Sequence, residues 1–159
     1  MKLKINEFQK NKSLRVGKKI LALLAFFPII LACDAGTVNY NNPNLPNYPV
    51  NLSINMSLPQ YSNLQFPSNH IVDYSQGVAG IVVFNTGSGF NAFDLACPNQ
   101  LFGSACSSAM TIDGIQAKCN CNTSENPYNL FSGQSPGQNY TMKPYRVEMS
   151  GANLIIYNN

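Results

Sequence analysis

The sequence predicts an all-β domain of antiparallel hairpins, a sandwich or barrel of about 110 residues. Three observations predict it. Apolar and polar residues alternate over several short segments, the period-two pattern of half-buried strands. Turn-forming residues separate those segments, the 159-residue chain holding 11 Gly, 10 Pro and 22 Asn. No stretch of ten residues carries helical periodicity. With only 11% charged residues, the Ala/Glu/Lys/Leu/Arg mixture of a helical bundle is missing. A disordered chain is disfavoured as well, because 45% hydrophobic residues can bury a core.

The elements follow in order. Val50, Leu52, Ile54 and Met56 alternate with polar residues and predict a first strand. Residues 58–69 (LPQYSNLQFPSN) read as loop, with Leu64 and Phe66 turned inward. Ile71 to Tyr74 is a short strand, and the β-branched run Val78 to Phe84 (VAGIVVF) a central one. Asn85-Thr86-Gly87-Ser88-Gly89 makes a hairpin turn, from which Phe90 to Ala96 pairs back. Residues 97–127 carry four cysteines and little regular structure beyond a strand at Ile115 to Cys119. Gly133 to Gly137 is another turn-rich loop. Tyr140 to Met149 is a strand, Ser150-Gly151-Ala152-Asn153 a turn, and Leu154 to Tyr157 closes the last hairpin.

The N-terminal segment has a different character. Seven of the ten basic residues (Lys2, Lys4, Lys10, Lys12, Arg15, Lys18 and Lys19) precede the apolar run Ile20 to Leu31. That run is too short to span a bilayer, which takes roughly 20 residues. A basic region followed by a short apolar region is a secretory signal. It ends Ile30-Leu31-Ala32-Cys33, which resembles the lipobox of bacterial lipoproteins, where the Cys becomes the lipidated first residue of the mature chain. The resemblance implies a signal peptide over 1–32, lipid on Cys33, and a protein of the bacterial cell envelope held extracytoplasmically at a membrane, on the periplasmic side or at the cell surface. Residues 33–49, the Cys and an Asn/Pro-rich stretch, read as a tether to a domain over 50–159. Removal of the signal leaves Lys118, Lys143 and Arg146 against six carboxylates. The mature chain is then acidic, and no basic patch for nucleic acid remains.

Outside the cytoplasm the four remaining cysteines, Cys97, Cys106, Cys119 and Cys121, are expected in two disulfides, with three connectivities open. A Cys₄ metal site fits poorly, since the first pair is nine residues apart and the second is C-x-C. Asp73, Asp94, Asp113, Glu125 and Glu148 form no motif with a nucleophile, the only His is His70, read as structural, and no enzyme is indicated.

The segments FNAFDLACPN, AKCNCNTSENPYNLFSGQSPG and YTMKPYRVEMSGANLIIYN resemble a Rieske iron–sulfur domain, with its two Cys loops, Pro-containing third loop and terminal hairpin. The resemblance runs from about Val50 to the C-terminus and is strongest from residue 78. It implies a Rieske-like sandwich or barrel with a small subdomain carrying the cysteine loops. Cys97 and Cys119 fall on the family's Cys ligands, and Asn99 and Asn122 on its two His ligands. Cys106 and Cys121 fall on the cysteines that many members join as a disulfide. Thr123-Ser124 falls on the Gly-Ser after the second His, and Pro136 on the third-loop Pro. The first loop carries an insertion, PNQLFGSA.

The departure at Asn99 and Asn122 decides what the resemblance implies. A Rieske [2Fe–2S] centre takes two thiolates on one iron and two imidazoles on the other, and neutral amides are poor substitutes. The expectation is therefore a degenerate domain with no cluster and a structural or binding role, its partner an unidentified envelope protein. Without the cluster, Cys97 and Cys119 are expected to close as a second disulfide beside Cys106–Cys121. Two other readings stand beside it. One is a [2Fe–2S] electron-transfer protein, its metal on Cys97 and Cys119 with unusual Asn ligation, serving a redox partner. The other is an unrelated disulfide-bonded β-sandwich lipoprotein with a binding role.

Overall fold

The computed structural model describes residues 40–158; the expected signal segment 1–32, Cys33 and residues 34–39 lie outside the described residues. The strands are β1 (Asn51–Asn55), β2 (His70–Asp73), β3 (Ile81–Asn85), β4 (Phe90–Asp94), β5 (Thr111–Asp113), β6 (Gln116–Lys118), β7 (Tyr128–Asn129), β8 (Pro144–Ser150) and β9 (Asn153–Tyr157), with one short 3-10 helix at Pro59–Gln65. They form two antiparallel sheets. The larger has the order β1-β9-β8-β4-β3-β2 and curls into a half-barrel. The smaller, β5-β6-β7, carries the cysteine loops. The fold is all-β and antiparallel, as the alternation and turn pattern predict.

The sequence of β3 explains how the two sheets stack. Side chains alternate across a strand. Ile81 and Val83 enter one core with Leu52, Ile54, Leu64, Leu154 and Ile156, inside the half-barrel. Val82 and Phe84 enter the other with Phe93, Leu95, Tyr128, Leu130, Cys97, Cys106 and Cys119. Every residue of β3 is buried, and β2 and β4 pair with it on either side. A strand covered on both faces reads as an unbroken apolar run, which is why IVVF shows no alternation.

The apolar run starts later as strand than the sequence suggests, at Ile81 and not at Val78. The reason is Asp94, whose side chain is fully buried. Its carboxylate accepts hydrogen bonds from the backbone N–H of Val78 (2.6 Å), Ala79 (3.1 Å) and Ala96 (2.8 Å), and from the Tyr145 hydroxyl (2.6 Å). Residues 76–80 wrap around this group instead of extending. Gly77 (φ +88°) sits so close that a Cβ there would lie 2.8 Å from Asp94 Oδ2, so the wrap requires glycine.

Other departures have equally local causes. Residues 58–69 are not plain loop, because Pro59 starts the 3-10 helix that lowers Leu64 into the half-barrel core. Phe66, expected inward, lies beyond the last turn and is exposed. β8 begins at Pro144 and not at Tyr140, because the backbone of residues 140 and 142 is bonded to the cysteine loop and to Gly133. Thr111–Asp113 pairs with β6 across a Gly114-Ile115 turn, adding a strand that the sequence reading omits. Residues 40–49, within the expected tether, lie packed along the domain. Leu45 and Asn42 are buried, Lys143 Nζ donates to Pro46 O and Asn47 Oδ1 (both 3.0 Å), and Asn158 Nδ2 donates to Tyr48 O (2.6 Å).

The Asp94 cluster sets a stability prediction. Tyr145→Phe removes one charge-assisted hydrogen bond and is expected to cost about 1.5–3 kcal/mol in urea unfolding. Asp94→Ala strands three backbone donors and the phenol together and is expected to exceed that range. Equal costs for the two variants would contradict the cluster's role.

Candidate functional site

The first cysteine loop leaves the end of β4, and the second joins β6 to β7. Their approach follows from the small sheet. The Gly114-Ile115 turn folds β6 back on β5, and the Met110 N–H donates to Leu95 O (2.7 Å), fastening β5 to the end of β4. Cys119, just past β6, therefore faces Cys97, just past β4. In extended chain, residues two apart face the same side, so the C-x-C pair can present both sulfurs to one neighbouring loop. Cys97 pairs with Cys119 and Cys106 with Cys121, with Cα–Cα separations of 5.6 Å in both pairs. Of the three connectivities open to the sequence, this is the one found.

Asn99 and Asn122 meet different fates. The Asn99 amide donates to the Tyr128 hydroxyl (2.7 Å) and to Tyr140 O (2.9 Å), while its Oδ1 accepts from the Tyr140 N–H (3.1 Å). One side chain thus ties the first cysteine loop to β7 and to the segment leading into β8. Asn122 bonds only locally, its Oδ1 accepting from the N–H (3.3 Å) and hydroxyl (2.7 Å) of Ser124. The third loop is joined to the second: Asn126 Nδ2 donates to Pro136 O (3.0 Å), and Ser135 Oγ to Asn126 O (2.7 Å).

Beneath Asn99, the Tyr128 ring is fully buried and its hydroxyl donates to the Glu125 carboxylate. Burial first, then the hydrogen bond to Glu125, raises the Tyr128 phenol well above its ordinary range. Burial likewise raises Tyr40 to about 12. An open pocket of about 390 Å³ lies alongside, lined by Lys118, Cys119, Asn120, Thr123 and Glu125. Lys118 is held by Asp113 at 2.7 Å. His70 is on a strand, the first residue of β2, away from both cysteine loops in sequence.

These groups do not suit a [2Fe–2S] cluster. Such a centre takes free thiolates and imidazoles. The four sulfurs here are joined in pairs, and both asparagine amides are engaged with protein groups. What the arrangement does is bridge the first and second loops covalently at two points, tie the first to Tyr128 and Tyr140 through Asn99, and join the third to the second through Asn126 and Ser135.

Several residues of this framework escape sequence reasoning. Glu125 and Tyr128 carry no motif. Asp94 had one usable signal, a lone carboxylate inside the apolar run FNAFDLA; Lys143, buried between Met142 and Tyr145, had a similar one. In comparisons with known proteins, no family model and no curated sequence matches the chain.

The pairing makes a direct prediction. Each bridge is expected to contribute about 2–4 kcal/mol. Reduction, or the double variant Cys106→Ala/Cys121→Ala, is therefore expected to lower the urea midpoint by a corresponding amount. Alkylation of the folded, unreduced protein is expected to leave Cys97, Cys106, Cys119 and Cys121 unmodified, as read by peptide mass. Four alkylated cysteines would contradict the pairing.

Proposed function

We propose that this chain is a lipid-anchored protein of the bacterial cell envelope whose domain keeps a Rieske-type arrangement of cysteine loops without the cluster, and that it serves there as a structural or binding module. The observation that carries the reading is the use made of the ligand positions. Cys97 and Cys119 are spent on each other, and Asn99 is spent on Tyr128 and Tyr140. A redox carrier needs those positions free for metal; a rigid presenting scaffold needs them tied.

The carboxylates favour a module over an enzyme in the same way. Asp94 is enclosed by four donors, Asp113 holds Lys118, and Asp73, Glu125 and Glu148 bond Ser75, Tyr128 and Tyr157. Two disulfides suit an extracytoplasmic location, and the basic and apolar segments ahead of Cys33 supply the route to it.

The test is the N-terminus of the membrane-associated protein. Mass spectrometry is expected to find a chain beginning at Cys33 and carrying acyl groups. Cys33→Ala is expected to lose the acylation and leave the membrane fraction on washing. An N-terminus elsewhere, or an unmodified Cys33, would overturn the anchoring.

A further inference from the structure

We propose that the tip of the first cysteine loop, residues 98–106, docks on the lipid surface that holds the anchor, with Leu101 entering the interface. The inference rests on the lipid-anchor reading above and adds an orientation and a contact to it. It starts from where the described chain begins. Tyr40 Oη donates to Thr141 O (2.6 Å), Asn42 Nδ2 and Asn44 Nδ2 both donate to Pro98 O (2.8 and 3.0 Å), and the Phe102 N–H donates to Asn44 O (3.0 Å). Residues 40–44 are thus fastened alongside this loop.

Reach supplies the second step. Cys33 precedes Tyr40 by seven residues, which span at most about 25 Å when fully extended. That is less than the roughly 30 Å diameter of a small domain. A lipidated Cys33 therefore cannot pass around to the far side, and the side carrying Tyr40 and the loop is the one held near the membrane.

Chemistry supplies the third. No residue from Leu95 to Ile112 is charged, so this stretch enters a headgroup layer without desolvating an ion. Leu101 is 52% exposed, and Phe102 beside it is half-buried. Around them are the exposed small residues Gly103, Ser104 and Ala105. Leu and Phe are suited to the acyl boundary, where burial of apolar area and the covalent lipid act together. The tip is also pre-formed. The Gly103 N–H donates to Cys106 O (2.9 Å), the Ala105 N–H donates to Leu101 O (3.0 Å), and Cys106 is bridged to Cys121. Docking therefore orders little new chain.

The absence of Trp from the sequence makes the test clean. The acylated protein, beginning at Cys33, is incorporated into phosphatidylethanolamine/phosphatidylglycerol vesicles with brominated acyl chains, as the variants Leu101→Trp, Ala105→Trp and Phe66→Trp. Phe66 is the control: it is 62% exposed and precedes Pro67, which packs near Gly87 in the β3–β4 turn, at the opposite end of β4 from Cys97. Emission from Leu101→Trp and Ala105→Trp is expected to be blue-shifted and quenched, and that from Phe66→Trp unchanged. Leu101→Trp and Ala105→Trp as unquenched as Phe66→Trp, in vesicles carrying acylated protein, would overturn the docking and leave the anchor standing. A blue shift that needs added envelope protein would overturn it in favour of a protein partner. Absence of acyl groups on Cys33, read by mass on the same sample, would remove the anchor reading and the docking together.

Discussion

The buried carboxylate of Asp94 is the interaction on which the rest of the structure depends. It stands at the end of β4, where the half-barrel hands the chain to the first cysteine loop. Its four donors come from three places: the 76–80 wrap before β3, Ala96 at the start of the loop, and Tyr145 in β8. A carboxylate in an apolar interior is costly unless its lone pairs are satisfied. Here they are, and the satisfaction itself fixes the direction in which Cys97 leaves the sheet. Burial, followed by the nearby Asp94 charge and hydrogen bond, raises the Tyr145 phenol, which keeps it a donor. Lys143, lowered by burial, is held by Pro46 and Asn47 and stacks 5.8 Å over the Tyr145 ring. Through Lys143 the same cluster also fastens Pro46 and Asn47 to the domain.

From that fixed point the cysteine loops are held by three independent kinds of bond. The two disulfides are covalent and close segments separated by 22 and 15 residues in sequence. The Asn99 amide adds directional hydrogen bonds to two further elements. Met110, Ala117, Tyr128 and Leu130 pack beneath them as apolar support. A metal cluster organises loops by drawing ligands inward to one centre. In this chain the ties are spread across the loops.

The strands were legible wherever one physical rule governed a segment. Alternation gave β1, and the buried run gave β3 once its two-sided burial is recognised. The Asn85–Gly89 and Ser150–Asn153 turns gave two hairpins, the second closing with Ser150 opposite Asn153. The all-β class and the two cysteine pairs follow the sequence reading as well. What escaped was decided by polar contacts across long sequence distances. Asn-rich segments look like solvated loop, yet the amides here clamp backbone carbonyls: Asn85 holds Leu64 O (2.8 Å), Asn91 holds Leu130 O (3.0 Å), and Asn120 holds Ala109 O (2.6 Å). Residues 40–49 were missed for the same reason, since their attachment uses Asn42 and Asn44 more than apolar side chains. Phe66 was misplaced because a 3-10 turn, set by Pro59, shifts which residue points inward.

The central claim is that positions which resemble a cluster site serve as structural ties. The most direct measurement is the iron content and visible absorption of the full-length protein purified anaerobically under reducing conditions. The account predicts a colourless protein without stoichiometric iron. A coloured protein with about two irons per chain, the content of a [2Fe–2S] centre, would contradict it.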